Sequence, residues 1–591
     1  MNPVAHDILR SIWRLLPANP ILVRVVHGQS RRLRHLWLRL GYLGMLFLVM
    51  LVAVVNAGTG GGGTSLNELA KTYSGVFGTV SFVQLGLMCF LAPVFTAAAI
   101  TQERDAQTYS ILLTTPISNA QIVLGSLFSR LYFVFLLLLA GVPIFGITML
   151  YGGVTLPVIA RSFAISAATA LITGSIAISY SVVKVGTKRT IFSFYLIIAL
   201  YLLAVYFLAR LPWLLVAEAP PGAGGARTSW LACAHPFLSL ATALNMVSPP
   251  DLDDVAHYGW PAKFLAAYPD YSYLVLTIAL SAVLVCGSMF FVRRGAREGE
   301  STLGSRTRTW LASLVGRSSR RAPRHVWRNP VAWREAAVSR SVAGGSLARY
   351  LYVLLGVAVA VGLLVTSLQR WSARPQVTRE WLSAVVMIEF AVVLLIATNA
   401  AASAITRERE SNTMDVLLCT PLTSRDLLWG KLRGLVSFTL PLIAVPVVTC
   451  LLFAAADLLR WGQAPVVFPE AVILISALMV VFSAFACILG LQRSVRSQKT
   501  VNAVLGSVAV LVLVCFGSFG CLFSVMPQTT AFGALVAPFT PFTALAAAID
   551  PGQSLGIDGF DAQGSLGIRI QVRVLSMIGS LAACGVYMAV V

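Results

Sequence analysis

The most regular arrangement of charged, hydroxyl and proline residues in this chain is a segment that occurs twice. Residues 100–105 read Ile-Thr-Gln-Glu-Arg-Asp, and residues 405–410 read Ile-Thr-Arg-Glu-Arg-Glu, at an offset of 305 residues. In both copies the charged stretch leads to a Thr-Pro turn and then to a Ser or Thr that can cap a following helix. Such a helix, turn and helix would form a short rigid knob suited to docking of a partner and transmission of force.

The positions that the two copies share form matched sets. The first set is Glu103, Arg104, Thr108, Thr115, Pro116 and Gly125, and the second is Glu408, Arg409, Thr413, Thr420, Pro421, Gly430 and Lys431. The prolines restrict their own backbone φ and the residue before them, which fixes the turn. We expect Glu103 and Glu408 to orient the two segments by pairing with nearby basic groups. The alternative interpretation is a plain linker with solvated charges, but repetition in register favours docking.

A second matched pair lies inside apolar runs, where Gln84 corresponds to Glu389 at the same offset. An ionisable residue inside a bilayer costs about 2.5 to 3.5 kcal/mol on insertion scales, so such residues are candidates for function. We therefore interpret both residues as candidates for lining a transport path between the two halves. The alternative is that Glu389 lies near the outer end of its span and reaches interfacial water.

The sequence lacks the motifs of an enzyme. It contains no Gly-x-x-x-x-Gly-Lys-[Ser/Thr] loop for nucleotide phosphates, and the glycine-rich run at 58–63 lacks the lysine. The six histidines and nine cysteines are scattered without the spacing of a metal site or a disulfide framework. We therefore predict no catalytic residue, no cofactor and no metal in this chain.

The composition is that of a membrane protein. Hydrophobic residues make up 57% of the chain and charged residues only 11%, whereas soluble domains are about a quarter charged. The apolar runs are continuous rather than alternating, which favours membrane helices over a barrel. We predict an all-α polytopic fold with about 12 transmembrane helices in two parallel six-helix repeats.

Each half contains six apolar runs near the length that crosses a bilayer. They lie at about 38–57, 76–100, 131–151, 158–183, 191–209 and 273–292, and then at 350–368, 383–405, 434–456, 470–492, 501–525 and 573–591. We divide the chain into a first transmembrane half at 1–300, a basic cytoplasmic linker with a connecting helix at 301–349, and a second transmembrane half at 350–591.

Lys and Arg indicate the orientation. The chain has 44 basic and 23 acidic residues, and the basic ones concentrate in the N-terminal segment and in alternate loops, including 293–349. Because Lys and Arg are retained in the cytoplasm during insertion, we predict a multi-pass protein of the plasma (inner) membrane with both termini cytoplasmic. The basic charge is dispersed over loops that flank the bilayer, without a reading module, so we predict no nucleic-acid partner.

Two longer loops lie on the predicted outer side, at about 210–270 and 526–572. Each contains a Pro-Phe pair, Pro236-Phe237 or Pro541-Phe542, followed by a short apolar run. Two interpretations remain open. The run is either part of a helical hairpin that dips into the outer leaflet, or a surface helix in an ordinary loop.

The repeated pattern Glu-Arg-x-x-x-Thr-x-x-x-Leu-Leu-x-Thr-Pro resembles the second cytoplasmic segment of ABC-2 type transporter permeases. The Asn-Pro pairs that precede the first span of each half, Asn19-Pro20 and Asn329-Pro330, fit the same family. The resemblance implies that the first cytoplasmic segment is a connecting helix and that the second carries a coupling helix for an ATP-binding subunit. The first half departs from the pattern with Ser126 where the second half has Lys431.

This resemblance implies that the chain is the membrane permease of an ABC transporter rather than an enzyme. Its partner would be an ABC ATP-binding subunit, either two copies or one two-domain chain, and it would export a substrate that the sequence does not identify. The alternative is a secondary transporter that works without an ATPase, which would need intramembrane carboxylates or broken helices for ions and substrate.

Overall fold

The architecture is described from a computed structural model of the chain. The described residues are 19–24, 33–59, 66–105, 114, 116–150, 154–183, 198, 201–202, 204–206, 208–209, 214–216, 228–247, 249–250, 255, 258–294, 331–333, 346–369, 375–410, 412–419, 423–458, 466–498, 500–512, 514–515, 539–549 and 566–590.

The first half contains eight described α-helices. They are α1 (Leu33–Thr59), α2 (Leu66–Asp105), α3 (Asn119–Ala140), α4 (Val142–Leu150), α5 (Leu156–Val183), α6 (Pro236–Ala243), α7 (Ala262–Ala267) and α8 (Pro269–Arg294). A 3₁₀-helix, Trp230–Ala234, precedes α6. Helices α3 and α4 together form the predicted third span, interrupted at Gly141.

The second half repeats this order. Its described helices are α9 (Ser346–Gln369), α10 (Pro375–Ala402), α11 (Thr406–Glu410), α12 (Met414–Leu418), α13 (Ser424–Leu458), α14 (Pro469–Arg496), α15 (Thr500–Val512), α16 (Pro541–Ile549) and α17 (Leu566–Val590). Here the third span is the single helix α13, which contains Pro441 and Pro446.

Seven of the described helical stretches are long and apolar enough to cross a membrane. They belong to α2, α3 with α4, α5, α8, α10, α13 and α14. Shorter apolar stretches in α1, α9 and α17 occupy the predicted first, seventh and twelfth spans. The fold class is therefore confirmed as a helical polytopic membrane protein. The count of twelve stays a prediction, because the fifth span of each half lies partly outside the described residues.

Each half builds its own apolar core. In the first half α2 packs against α5, and α5 packs against α8; in the second half α10 packs against α14, and α14 against α17. The second span thus contacts the fourth, and the fourth contacts the sixth, in both repeats. The α10 and α14 backbones approach closely at Gly490, where a Cβ atom would lie 2.7 Å from the Thr398 carbonyl oxygen.

The two Pro-Phe elements begin short buried helices. Helix α6 starts at Pro236 and packs against α5 and α8, and α16 starts at Pro541 and packs against α14 and α10. Their N-caps are His235 and Thr540, each of which accepts a hydrogen bond from a backbone N–H three residues later. Both helices lie between spans rather than on an exposed surface.

The fourth and sixth spans are joined by an ion pair in each half. In the first half Arg161 of α5 pairs with Asp270 of α8, at 3.1 Å. In the second half Glu470 of α14 pairs with Arg573 of α17. The helices correspond, but the signs are reversed, because the basic partner lies on the fourth span in the first half and on the sixth in the second.

Candidate partner-docking site

The second copy of the repeated segment forms a compact knob between the second and third spans of its half. Helix α10 ends at Ala402, the short helices α11 and α12 follow, and α13 begins at Ser424. The chain reverses between α11 and α12 at Asn412, which has φ of 53°. Asn is one of the few residues other than Gly that adopts this left-handed conformation readily.

Glu408 and Lys431 hold this knob against the start of α13. Their side chains form an ion pair at 3.1 Å and are only 9% and 1% exposed. The Lys431 ammonium also donates to the carbonyl oxygen of Ala404 at 3.0 Å. The structure therefore shows Glu408 paired with a basic group, as expected from the sequence. Its role in coupling to a partner stays a prediction.

The knob is also anchored to the connection between the fourth and fifth spans. The hydroxyl of Ser494 accepts hydrogen bonds from the backbone N–H groups of Ile405 and Thr406, both at 3.0 Å. The Arg409 guanidinium donates to the Ser497 carbonyl at 2.9 Å, and the Thr500 N–H donates to the Glu410 carboxylate at 2.7 Å.

No sequence pattern pointed to Ser494, Ser497 and Thr500 as part of this site. Each lies in or near a basic loop, and hydroxyl residues are ordinary in such a loop. Only the packing of α14 beside α10 brings them to the knob, so their role has no signal in the local sequence.

The outer surface of the knob and of the first turns of α13 is mixed apolar and charged. Val416 is 71% exposed and Trp429 is 54% exposed. Asp415, Arg425 and Asp426 are exposed beside them. We call these five residues the knob surface. Exposed apolar groups rimmed by charge are typical of protein interaction sites.

The predicted helix caps are present in both copies. The Ser118 hydroxyl accepts from the N–H of Gln121 at 3.2 Å, and the Gln121 side chain accepts from the Ser118 N–H at 2.9 Å, which completes a capping box. The Thr423 hydroxyl accepts from the Asp426 N–H at 3.1 Å. The caps explain why α3 and α13 begin well before the apolar runs that marked their spans.

In the first half the segment is held from the N-terminal side. The buried Asn19 side chain donates to the Gln121 carbonyl at 2.9 Å and accepts from the Ile21 N–H at 3.0 Å. A Cβ atom on Gly125 would lie 2.6 Å from the Asn19 Oδ1 atom. Gly125 therefore allows the Asn19-Pro20 segment to approach α3 closely. The sequence identified both features but not their contact.

The other residues predicted for the site divide into three groups. Pro116 and Thr413 are exposed in turns, and Gly430 is buried in α13. Glu103 and Arg104 lie in the last turn of α2, and their side chains are outside the described residues. Also outside the described residues are Thr108, Thr115, Thr420 and Pro421.

Gln84 and Glu389 both lie near the middle of their spans, which cover Tyr73–Pro93 and Thr378–Ala402. Their side chains are 0% and 1% exposed. The alternative that Glu389 lies near the outer end of its span is therefore wrong. The carboxyl faces Gly356 of α9 inside the second half, and a role for either residue in a transport path stays a prediction.

The chain matches one known family along most of its length. A sequence model of the family described as ABC-2 family transporter protein matches residues 28–372 and, separately, residues 264–584. Two matches on one chain agree with two fused copies of the same permease unit. No individual curated protein matches the chain closely.

Proposed function

We propose that this chain, which belongs to the ABC-2 family of transporter proteins, is an export permease driven by ATP hydrolysis in a separate ATP-binding subunit. That it is a membrane permease of an ABC transporter follows from the family. The proposal that it exports a substrate with ATP hydrolysed by a separate subunit is supported mainly by one observation, the Glu408–Lys431 pair that joins the exposed knob to a membrane helix.

The knob is built to pass a displacement into the membrane. Glu408 links α11 to α13 through Lys431, and Ser494 links the same helix to α14. Charge-assisted hydrogen bonds are stronger and more directional than neutral ones. A push on α11 and α12 would therefore move the cytoplasmic ends of the third and fourth spans together, as a rigid-body switch requires.

The knob surface suits a protein partner on the cytoplasmic side. Trp429 and Val416 offer apolar contact area. Charged residues beside them would orient a bound partner, and these are Asp415, Arg425 and Asp426. Since the segment occurs in both halves, the partner would be two copies of an ATP-binding subunit or one two-domain chain. ATP and Mg²⁺ would be bound there, and the permease would lie in the plasma (inner) membrane with both termini cytoplasmic.

A secondary transporter is the second candidate function. The observation that favours it is the buried carboxyl of Glu389 at mid-span. The knob gives this alternative no support, because a transporter without an ATPase does not need a braced cytoplasmic docking segment.

The native cysteine Cys419 provides a test. It is exposed at the end of α12, so a short cysteine-directed crosslinker should join it to the ATP-binding subunit in membranes. Cys419→Ser is the negative control, and Cys286, which is exposed on α8, is the positional control and should not crosslink. Crosslinking from Cys286 but not Cys419, or a purified complex without permease-dependent ATP hydrolysis, would contradict the proposal.

A further inference from the structure

Glu389 occupies a place that is hard to reconcile with a permanent negative charge. Its span begins at Thr378, so the residue lies roughly 16 Å along the helix axis at 1.5 Å per residue. That is about half of the 30 Å hydrocarbon thickness. Its side chain is 1% exposed, and neither carboxyl oxygen has a hydrogen-bond partner among the described residues.

The hydroxyl groups that face Glu389 are used elsewhere. The Tyr352 hydroxyl of α9 donates to the main-chain oxygen of Glu389 at 3.3 Å, not to the carboxylate. Thr449 of α13 faces the carboxyl, but its hydroxyl donates to the Val445 carbonyl at 3.0 Å. A Cβ atom on Gly356 would lie 3.2 Å from the Glu389 Oε1 atom. The carboxyl is thus enclosed tightly, and the Thr449 hydroxyl is the described group close enough to turn toward it.

No described basic residue faces the carboxyl. The titratable groups that face it are Tyr352 from α9 and Cys450 from α13, and neither becomes positive. On α10 itself, Arg379 lies ten residues earlier with its guanidinium over the Phe468 ring.

The charges of the neighbouring helices lie toward their ends. On α14 they occupy the first and last turns. On α9 and α13 they are Arg349, Arg425, Asp426, Lys431, Arg433 and Asp457. None of these positions is at the depth of Glu389, so the carboxyl has no described counter-charge.

We propose that Glu389 is a proton-binding site, neutral in the packed arrangement of α9, α10 and α13 and able to exchange its proton with water when these helices separate. An unpaired charge in the bilayer interior costs several kcal/mol, and protonation removes that charge. The reaction is the transfer of one proton from hydronium to the carboxylate: one O–H bond of the hydronium breaks, the O–H bond of the carboxyl forms, and a water molecule is left.

The first half contains the neutral counterpart. Gln84 is fully buried at the equivalent position of α2, and neither atom of its amide group has a hydrogen-bond partner among the described residues. An amide has the shape of a protonated carboxyl. The fold therefore accommodates a neutral polar group at this depth in both repeats, and of the two positions only the one in the second half can ionise.

A link between this proton and transport rests on the proposed function. If ATP binding to the partner separates α9, α10 and α13, the carboxyl becomes accessible to water and loses its proton. When the packing is restored, it takes a proton up again. The second half would then carry a proton step that the first half lacks.

Carbodiimides test the site in the full-length chain in lipid nanodiscs. Dicyclohexylcarbodiimide is hydrophobic and modifies protonated carboxyls, so mass spectrometry of peptides should detect it on Glu389 at pH 7. The modified fraction should fall severalfold as the pH rises to 10. Glu380 is exposed on the same helix and is the internal control, which should remain unmodified by this reagent at pH 7. Glu389→Gln should abolish the signal, and Gln84→Glu should create a second modified site.

A water-soluble carbodiimide provides the opposing measurement. It should modify Glu380 and leave Glu389 unmodified in the chain alone. Equal modification of both residues by the water-soluble reagent, or no modification of Glu389 by the hydrophobic one at any pH, would overturn the proton site. In the complex with the ATP-binding subunit, ATP and Mg²⁺ should raise water-soluble modification of Glu389. Loss of that rise alone would refute the link to transport and leave the proton site intact.

Discussion

Lys431 makes an ion pair with Glu408 that the first copy of the segment cannot make in the same way, because Ser126 stands at the position of Lys431. The two copies thus share their helix caps but differ in the described contacts at the start of the third span. In the second copy a buried charge pair joins the knob to the third span. In the first copy Asn19 joins the N-terminal segment to the start of that span. We expect the two knobs to respond differently to mutation.

Removal of one partner of the buried pair should be strongly destabilising. Glu408→Ala leaves the Lys431 ammonium buried without its carboxylate, at a cost of about 3 to 5 kcal/mol. The double variant Glu408→Leu with Lys431→Met should be much closer to the native protein in stability, since it removes both charges. Thermal unfolding in detergent measures stability, and stimulation of ATP hydrolysis measures coupling.

In that double variant, thermal stability and stimulation of ATP hydrolysis should be affected to different extents. If the ion pair passes force to α13, the stable double variant should still stimulate ATP hydrolysis less than the native protein. Full stimulation in the double variant would show that the pair is merely structural. Glu103→Ala is the matched change in the first copy and should have the smaller effect on stability, because Ser126 occupies the sequence position that corresponds to Lys431.

Gly125 should not tolerate a side chain. In most helices Gly→Ala stabilises by roughly 0.5 to 1 kcal/mol, but a Cβ atom at this position would collide with Asn19. We therefore expect Gly125→Ala to release the N-terminal segment, seen as faster proteolysis before residue 33. Gly86→Ala is the control, because a Cβ atom at Gly86 has open space. Equal proteolysis of both variants would contradict the contact.

The ion pairs between the fourth and sixth spans should tolerate reversal of sign. Arg161→Asp alone places two acidic groups together, and adding Asp270→Arg restores a pair of the polarity that Glu470 and Arg573 already have in the second half. Arg161 is 28% exposed but Asp270 only 9%, so the single reversal should cost more than the roughly 1 kcal/mol or less of a fully exposed pair. The double reversal should recover most of the loss in unfolding temperature. No recovery would show that the surroundings, rather than the pair, determine the polarity.

The sequence predicted the elements of this fold better than their contacts. The 305-residue repeat located the caps at Ser118 and Thr423, since a cap is a local property of a few residues. Apolar runs located the spans but placed the starts of α3 and α13 too late, because hydropathy does not detect the polar extension of a helix beyond its apolar run. The anchors of the knob at Ser494 and Thr500 lie about 90 residues away from it, and no local pattern reports such a contact.

Lowered pH should destabilise the packing of α6 in the first half through His235, its N-cap residue. Burial lowers the pKa of this histidine to about 4, more than its hydrogen bond to the Leu202 carbonyl raises it. Its Nδ1 accepts from the Leu238 N–H, so Nε2 carries the proton that is donated to Leu202. The folded pKa lies below the unfolded value of about 6.5. The stabilisation is therefore complete above pH 6.5 and decreases as the pH falls toward 4, by up to about 1.4 kcal/mol per pH unit.

Replacement of His235 by Asn distinguishes the effect of histidine protonation from the effect of the helix N-cap. Asn is a good N-cap residue, so His235→Asn should keep α6 in place and remove the contribution of this group to the pH dependence between 6.5 and 4. Unfolding temperatures of both proteins at pH 7.5, 6.0 and 4.5 give the comparison. The native protein should lose more stability than the variant across this series. In acid the unfolded native chain binds a proton at His235, whereas the folded protein keeps this buried imidazole neutral, and the variant has no such group. Parallel curves for the two proteins would show that His235 is not the titrating group.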